Sequence, residues 1–507
     1  MINNSPASYA FIRACIFFLH YIAPLSAVYC MAVLLLRPST YRVPLVLEIW
    51  AIAETAFFAL IYVPRTIVLQ RAATHPELLP REQRRELFKL CLDTVEDPEK
   101  YLSGWMRGAP ASEIKRENVK ELFCWAFLNK KDHGPEDDDE LEEYADETEL
   151  CLGRRLEPGR GNAVSLRVTV DRFQSLHRSL LWYFCVFFVD TITFSSLIWN
   201  SFHFHSLPFS QFFDVFPLRP FGLLSEQKTP AKTLTYWHRP HTSKARLPIL
   251  FIHGIGIGLY PYVNFLSQIN KSSNGRDEDG DIGIIAIEIM SVSFRITGAA
   301  LEKDQMCFEI QQILRHHGWH ECILASHSYG SVISSHLLHY SETSQLFGPV
   351  LLIDPVSILL HLPDVAYNFT ARKPLRANEH QLYYFASMDM GVAHTLGRRF
   401  FWAENILWKH DMDGRQVTVS LASRDLIVDT EAVGRYLAQD GNGEPKKEEW
   451  KHREWKGKGL DILWFDDLDH AQVFDSRRNC EILAKVVRQY SLMERRGKSY
   501  GAAARDQ

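Results

Sequence analysis

The sequence predicts an α/β protein: a mostly parallel β-sheet with helices on both faces, preceded by an N-terminal helical region that associates with a membrane. From about residue 234 onwards, short apolar runs typical of buried strands alternate with apolar residues at helical spacing. Within this part, Cys322 to Tyr340 (CILASHSYGSVISSHLLHY) indicates a strand, a sharp turn and a helix around one serine. Before it, three long apolar runs predict helices that a bilayer or a protein core must cover.

The composition of the chain excludes several classes of function. Its 507 residues are enough for two or three domains with a sizeable core. The net charge of −5 gives no indication of a nucleic-acid partner. The nine cysteines are widely scattered, and they show neither a disulfide framework nor the spacing of a metal site.

The first two apolar runs predict a membrane anchor within residues 1–66. Residues 14–36 carry no formal charge and are long enough to cross a hydrocarbon core of roughly 30 Å, too long for a cleaved signal peptide. Residues 43–63 form a second candidate span, although Glu48 and Glu54 are costly in a bilayer unless they pair or face protein. Basic residues lie on both sides of this run, so neither the orientation nor the kind of membrane follows from the sequence.

Two further regions separate the anchor from the sheet. Residues 67–179 predict a helical region, in which the acidic stretch at about 134–162 is expected to be a flexible, solvated loop. Residues 180–232 contain a third apolar block, broken by Asp190, and an aromatic stretch at 202–223 that is typical of a membrane interface. The block is compatible with a third span, a re-entrant element or a helix packed on the following domain.

Seven apolar runs predict the strands of a domain at residues 233–495. They span residues 234–237, 248–252, 282–290, 323–325, 350–353, 417–421 and 462–465. A long basic and aromatic insertion at about 357–414 interrupts the alternation of strands and helices.

The end of three of these strands carries the candidate chemistry. Ser328 lies in the turn Ser326-His327-Ser328-Tyr329-Gly330, where small residues two before and two after the serine let strand and helix approach. Asp425 follows the strand at 417–421, and His470 follows the last strand. The carboxyl ends of parallel strands meet at one edge of a sheet, so these side chains are expected to lie together.

On these motifs, and on His253-Gly254 at the end of the second predicted strand, residues 234–490 resemble the serine-dependent α/β-hydrolase superfamily. The whole chain is similar to membrane-anchored, lipase- or esterase-like hydrolases of fungal type, a resemblance that adds no substrate. It implies the α/β-hydrolase fold, with the insertion at 357–414 as its lid.

The resemblance also implies the site residues. Ser328 is the expected nucleophile, His470 the general base and Asp425 the acid that orients its imidazole. Asp354 is the alternative acid, because it also follows a strand and some lipases place the acid there. Four further aspartates are expected to form a helix-start charge cluster, and His327 is expected to have a packing role. These aspartates are Asp429, Asp466, Asp467 and Asp469.

The backbone N–H groups of Ile255 and Tyr329 are the expected oxyanion hole, in a loop shaped by His253, Gly254 and Gly256. A dinucleotide-binding loop is the rival interpretation of the glycines, but the helix start that it requires is missing. No metal and no organic cofactor is implied.

These features predict a serine hydrolase that acts on lipid-like esters, a membrane-bound lipase or carboxylesterase. Its expected partners are an ester substrate and a membrane. A thioesterase or acyltransferase with the same residues is an alternative within enzymes. A membrane-tethered protein of this fold without activity is the alternative outside them. A serine at the turn disfavours epoxide hydrolase and dehalogenase chemistry, for which the superfamily uses an aspartate.

Overall fold

An eight-stranded β-sheet lies at the centre of the computed structural model, which describes residues 1–36, 43–271, 279–439 and 449–492. The strands are β1 His203–His205, β2 Thr235–Arg239, β3 Ile249–Ile252, β4 Ile284–Glu288, β5 Cys322–His327, β6 Phe347–Ile353, β7 Val417–Ala422 and β8 Leu460–Phe465. They are arranged in the order β1-β2-β4-β3-β5-β6-β7-β8. β2 is antiparallel to both of its neighbours, and the strands from β4 to β8 are parallel.

This order and register are those of the α/β-hydrolase fold, and they confirm the predicted class. The central parallel strands are buried along their whole length, because helices cover both faces of the sheet. Their sequences are therefore continuous apolar runs, which made them visible in the sequence. The runs predicted as strands coincide with β2 to β8.

The helices fall into three groups along the chain. Those before the sheet are α1 Pro6–Leu36, α2 Leu45–Phe57, α3 Val63–Leu69, α4 Arg81–Asp93, α5 Pro98–Trp105, α6 Arg116–Leu128, α7 Asp138–Leu152 and α8 Leu180–Trp199. Those between the strands are α9 Val263–Gln268, α10 Lys303–His316, α11 Gly330–His339 and α12 Ser341–Ser344, then α13 Pro363–Ala366, α14 Ala377–Gln381, α15 Met390–Arg399 and α16 Trp402–Asn405 in the insertion, and α17 Thr430–Ala438. The last helix is α18 Arg477–Ser491. Helices α10, α11 and α17 contribute to the core on one face of the sheet, and α9 and α18 to that on the other.

Strand β1 was not predicted, because it falls inside the aromatic stretch assigned to a membrane interface. It is three residues long, His203–His205, too short for a pattern of alternating hydrophobicity. It pairs with β2 at the edge of the sheet. The sheet therefore begins before Thr233, where the predicted domain starts.

The acidic stretch expected to be a flexible loop contains helix α7. Leu141, Tyr144 and Thr148 are buried at helical spacing, a stripe that the many carboxylates conceal in the sequence. The carboxylates themselves pair with cations of α4 and α6. Arg84 binds Glu140, and Arg116 binds a group of three acidic side chains, Glu142, Asp146 and Glu149.

In the part of the chain that the structure describes, three helical segments are long and apolar enough to cross a membrane: Pro6–Leu36, Leu45–Leu69 and Leu180–Trp199. The second consists of α2 and α3, joined by a π-helical turn at Phe58–Tyr62. The third predicted block is α8, which packs on the sheet domain through the buried Val186 and Leu197 and exposes Phe184 and Phe188.

Two of the three acidic groups in the apolar runs, Glu54 and Asp190, face protein. Glu54 of α2 is fully buried, and it accepts the backbone N–H of Leu180 at 2.9 Å and lies 3.1 Å from His177. Asp190 of α8 forms ion pairs with Arg295 and Arg219. The cost of a carboxylate in an apolar helix is therefore offset by partners on the protein side.

Helix α11 begins in close contact with the end of β3. A Cβ atom on Gly330 would lie 2.4 Å from the carbonyl oxygen of Ile252 and 3.0 Å from that of His253. Both oxygens belong to the backbone at the end of β3, so they cannot rotate away as a side chain could. The first residue of α11 must therefore be glycine for β3 and α11 to pack as they do.

We expect Gly330→Ala to lower the free energy of unfolding by about 1–3 kcal/mol, the usual cost of forcing extra volume into a packed core. The matched control is Gly298→Ala, because no atom lies within 4 Å of the Cβ position at Gly298. Thermal unfolding of both variants in detergent measures the difference. Equal melting temperatures for the two variants would show that the contact between β3 and α11 is not tight.

Candidate active site

Ser328 occupies the sharp turn between β5 and α11. Its φ of +52° is in the left-handed region, which a residue with a Cβ adopts only when its surroundings enforce it. Two hydrogen bonds do so: the Ser328 N–H donates to Ile353 O at 3.0 Å, and the Ser331 hydroxyl donates to Ser328 O at 2.7 Å. This strained turn between strand and helix has the form of a nucleophile elbow.

Ser326 stands where such a turn usually has a glycine. Its side chain is fully buried, and its Oγ accepts a hydrogen bond from the Ser334 hydroxyl of α11 at 2.8 Å. The extra hydroxyl therefore costs little free energy of folding, because it has a hydrogen-bond partner where strand and helix approach each other.

The imidazole of His470 joins Ser328 to Asp425. His470 Nε2 lies 2.8 Å from Ser328 Oγ, and His470 Nδ1 lies 2.7 Å from Asp425 Oδ2. The other oxygen of Asp425 accepts the backbone N–H groups of Ile427 and Val428. The three side chains follow β5, β7 and β8, so the carboxyl edge of the sheet brings them together as the sequence predicted.

Asp354, the alternative acid, is close to this chain of hydrogen bonds without being part of it. It is buried after β6, and its Oδ2 accepts the backbone N–H of Ala471 at 2.9 Å. His327 Nε2 lies 3.8 Å from the same oxygen. Of the two candidate acids, Asp425 is the one hydrogen-bonded to His470.

Asp469, expected only as part of a helix-start charge cluster, also holds the site together. Its Oδ1 accepts the N–H of His470 at 2.8 Å and that of Leu426 at 3.0 Å, and its Oδ2 accepts the Asn378 amide at 2.6 Å. It thereby joins the segment that carries His470, the segment after Asp425 and helix α14 of the insertion. The sequence holds no signal for this role, since Asp466 and Asp467 precede it almost directly and look equivalent to it.

The electrostatics of the site favour a charged imidazole. Burial opposes the imidazolium, but the carboxylates of Asp425, Asp354 and Asp469 outweigh it and raise the pKa of His470 to about 9. Burial raises the pKa of the Asp469 carboxyl itself. The protein is thus arranged to stabilise the cation that forms when His470 takes up a proton.

The loop after β3 lies directly against Ser328. A Cβ on Gly254 would be 2.7 Å from Ser328 Cβ, so only glycine permits this approach. The buried His253 holds the loop: its Nε2 accepts the N–H of Ile289 at 2.9 Å, and its Nδ1 lies 2.7 Å from Gly254 O. Burial lowers the pKa of His253 to about 4, consistent with a neutral ring that accepts at Nε2.

The expected oxyanion donors are the backbone N–H groups of Ile255 and Tyr329. These residues directly follow Gly254 and Ser328, the two residues in this close contact. The N–H of Gly256 donates to Val292 O at 3.1 Å, which fixes the loop. Within the described parts of the chain, the N–H groups of Ile255 and Tyr329 have no hydrogen-bond acceptor. His327 hydrogen bonds through Nδ1 with the Tyr262 hydroxyl at 2.8 Å, and this hydroxyl also accepts the Gly254 N–H.

An apolar cavity of about 50 Å³ opens beside Ser328. Its wall is formed by Trp105, Trp125, Val168, Ile255, Tyr329, Val356, Leu360, Val365, Ala366, Phe369, Thr370, Leu396, Phe400, Trp402 and Ile427. The insertion expected to be a lid supplies Leu360, Phe400 and Trp402. Trp105 and Trp125 come from α5 and α6 in the N-terminal region, and no sequence pattern links them to the site. A larger cavity of about 250 Å³ between α5 and α17 contains none of the candidate site residues.

Asp354, Asp425 and His470 also lie close enough together to share a metal ion, with ligand atoms within 4.8 Å of one another. The nitrogen and oxygen atoms of Asp425 and His470 are already engaged in the hydrogen bonds described above. The arrangement suits proton transfer between Ser328 and His470 without such an ion.

No protein-family model matches the chain, and no curated protein matches it. Among solved structures it aligns with a membrane phospholipase A, described as a bacterial virulence factor, at 11% identity over 65% of this chain and 94% of that one, with a TM-score of 0.35. Carboxylesterase CesB (YbfK) from Bacillus subtilis aligns at 10% identity over 59% and 97% of the two chains (TM-score 0.34). Haloalkane dehalogenase DbeA from Bradyrhizobium elkani USDA94 aligns at 10% over 51% and 96% (TM-score 0.33). At such values the alignments carry no argument about chemistry, and the fold rests on the strand order and register.

Proposed function

We propose that the protein is a serine hydrolase that cleaves carboxylic esters of lipid-like substrates through a Ser328–His470–Asp425 triad. The observation that carries this proposal is the hydrogen-bond chain from Ser328 Oγ through His470 to Asp425, at 2.8 and 2.7 Å. A nucleophile, a base and an orienting acid in this geometry are the requirements of acyl transfer to serine.

In the proposed reaction, Ser328 Oγ attacks the ester carbonyl carbon while His470 Nε2 takes the hydroxyl proton. Asp425 accepts the Nδ1–H and, with Asp354 and Asp469, stabilises the imidazolium. The N–H groups of Ile255 and Tyr329 donate to the oxyanion of the tetrahedral intermediate. The imidazolium then protonates the leaving alcohol, which leaves an acyl group on Ser328. Water, deprotonated by His470, releases that group as a carboxylic acid.

The cavity beside Ser328 supports an apolar acyl group. No charged side chain contributes to its wall, so a charged group there would lose its hydration without gaining a partner. His470, Asp425 and Asp354 do not contribute to this wall. A hydrocarbon chain on the carbonyl carbon is therefore the substrate feature that this cavity favours.

We further propose that the protein is integral to a membrane through its apolar helices. Helix α1 exposes large apolar side chains along its length, among them Phe18 and Leu34, which water would solvate poorly. The residues before α1 lie beside the site, because the side chain of Gln472, two residues after His470, donates to Met1 O at 2.8 Å. An ester dissolved in the bilayer would thus meet the enzyme near its catalytic edge.

A second candidate function is acyl transfer to an acceptor other than water. Ser328 and His470 are only 6% and 5% exposed, and the wall beside them is apolar. Poor access of water to an acyl-enzyme favours an alcohol or thiol acceptor that binds in its place. Incubation with a lipid ester in the presence and absence of alcohol acceptors separates the two reactions by their products.

We expect Ser328→Ala and His470→Ala each to lower kcat for ester hydrolysis by about 10⁴-fold or more, since members of such a unit act together. A fluorophosphonate probe should label the wild-type protein and leave Ser328→Ala unlabelled. Ser341→Ala, an exposed serine at the start of α12, is the matched control and should keep both labelling and turnover. Near-normal hydrolysis by either triad variant, with its fold intact, would exclude this triad.

The two candidate acids should respond differently to loss of charge. Asp425→Asn is expected to lower kcat by about 10⁴-fold, because it disturbs the imidazole tautomer that accepts from serine. Asp354→Asn leaves the hydrogen-bond chain in place but removes a negative charge near His470, so the pKa of His470 should fall from about 9. Severe loss in Asp354→Asn with a mild effect in Asp425→Asn would instead assign the acid to Asp354.

The pH dependence of kcat/KM follows from the raised pKa of His470. Only the neutral imidazole can take the serine proton, so kcat/KM in the wild type should rise with pH, reach half of its maximum near pH 9 and level off above that pH. In Asp354→Asn the rising limb should move to lower pH. A wild-type profile already level at pH 6, or a limb that does not move in Asp354→Asn, would contradict this account of the site.

The acyl cavity is tested by filling it with Ala366→Leu, since Ala366 is the smallest side chain in its wall. We expect kcat/KM for long acyl esters to fall relative to acetyl esters by roughly tenfold or more, the scale of discrimination by one or two methylene groups. Because the measurement is a ratio, a general loss of folded protein cancels. An unchanged ratio would place the acyl chain elsewhere.

Alkaline carbonate extraction tests the membrane proposal. We expect the full-length protein to stay with the membrane pellet, because exposing apolar area to water costs about 25 cal/mol per Å² and α1 alone is 31 residues long. A peripheral protein of the same membrane serves as the control for release. Recovery of the protein in the supernatant would show that it is not integral.

A further inference from the structure

Five histidines gather at the edge of the sheet that begins with β1, apart from the proposed triad. His203 and His205 lie on β1, His238 lies on β2, and His316 and His317 lie at the end of α10. In the antiparallel register of β1 and β2, His203 pairs with His238 and His205 pairs with Tyr236, so these side chains share one face of the sheet. The end of α10 covers that face.

Three of these rings are in mutual contact. The ring centroids of His238 and His317 are 3.9 Å apart, those of His205 and His317 are 5.2 Å apart, and those of His205 and His238 are 5.7 Å apart. A nitrogen of each ring lies within 4.8 Å of a nitrogen of the other two. Small side-chain adjustments would bring all three to one ion, for which a zinc–nitrogen distance is about 2.0–2.1 Å.

Surrounding groups hold two of the rings in place. The Tyr236 hydroxyl lies 2.9 Å from His205 Nδ1 and 2.9 Å from His317 Nε2. The ring of His205 also hydrogen bonds to the backbone carbonyl of Lys228. Metal-binding histidines commonly donate their second ring N–H to a backbone carbonyl, which fixes the tautomer and directs the other lone pair at the ion.

His238 differs from its neighbours because neither of its ring nitrogens has a hydrogen-bond partner within the described residues. Its ring is only half-buried and lies against that of His317, with the two ring planes inclined by 36°. Neutral imidazole binds a metal through a ring nitrogen that no hydrogen bond occupies, and His238 offers such a nitrogen next to the other two rings.

We propose that His205, His238 and His317 form a binding site for a divalent transition-metal ion, with zinc as the ion best suited to three imidazole ligands. Zinc accepts three histidines in tetrahedral geometry and leaves a fourth position for water or another ligand. The exposed rings of His203 and His316 lie on the solvent side of the cluster, where either can supply that ligand.

The ion would link three elements of the fold, β1, β2 and α10. β1 is an edge strand of three residues and hydrogen bonds only with β2 in the sheet. It also follows directly on α8, the third apolar helix. A metal shared by β1, β2 and α10 would therefore fix the connection between that helix and the hydrolase fold.

Zinc binding to the full-length protein in detergent tests the proposal by competition with a chromophoric chelator. We expect one tightly bound ion per chain in the wild type. In His238→Gln and in His317→Gln, affinity should fall by more than the roughly 10–100-fold that loss of an outer partner of a ligand costs. His410→Gln removes an exposed histidine elsewhere, with 61% of its side chain accessible, and should bind as the wild type does.

Two further measurements, the absorption spectrum of bound cobalt and the melting temperature with zinc, test whether the ion binds at this site. Cobalt in place of zinc should give the visible absorption of a tetrahedral site in the wild type, and zinc should raise the melting temperature of the wild type more than that of His238→Gln. His470→Ala distinguishes this site from the carboxylates around the triad. No stoichiometric zinc binding in the wild type, binding unchanged in both His238→Gln and His317→Gln, or binding lost only in His470→Ala would each overturn the proposal.

Discussion

The hydrogen bond between His470 and Asp425 is the interaction on which the site depends. Both side chains are removed from water, and a buried pair is tolerated only where the remaining lone pairs and protons have partners. Two backbone N–H groups satisfy the second oxygen of Asp425, while Ser328 lies at the second nitrogen of His470. The elements around the site, the ends of β5, β7 and β8 and the start of α11, supply these partners. A shift of any one of these elements would therefore disturb the hydrogen bonds that the others make to the site.

The apolar wall beside Ser328 extends this dependence to the N-terminal region. Trp105 and Trp125 belong to α5 and α6, which precede the first strand of the sheet, and they share a core with Leu360 and Trp408 of the insertion. The indole N–H of Trp105 donates to His361 O at 3.0 Å, which fastens α5 to the same segment. The helical region before the sheet is therefore part of the proposed acyl site, and the hydrolase fold taken from Thr233 onwards would lack that wall.

The sequence predicts a structural feature when the residues of one element form a recognisable pattern. It does not predict a feature that arises where two distant elements meet. The buried strands are continuous apolar runs, and the turn at Ser328 has small residues at fixed positions, so both could be predicted locally. Strand β1 is too short for a pattern, and the apolar stripe of α7 is hidden among its carboxylates. Asp469 and the cluster of His205, His238 and His317 gain meaning only when sheet pairing and α10 bring their partners near, which no spacing along the chain reveals.

Glu54 and Asp190 show how the role of a carboxylate in an apolar run can be misjudged from the sequence. In an isolated apolar helix, a carboxylate argues against a membrane span because its desolvation is costly. Here Glu54 accepts the first N–H of α8, and Asp190 binds Arg295, which follows β4. Each helix thus has one face for the protein, where its acid is paired, and another with exposed aromatic and aliphatic side chains. The acids are contact points between the apolar helices and the rest of the fold. A helix that needs such a contact to hide its charge is also held in one orientation relative to the catalytic edge of the sheet.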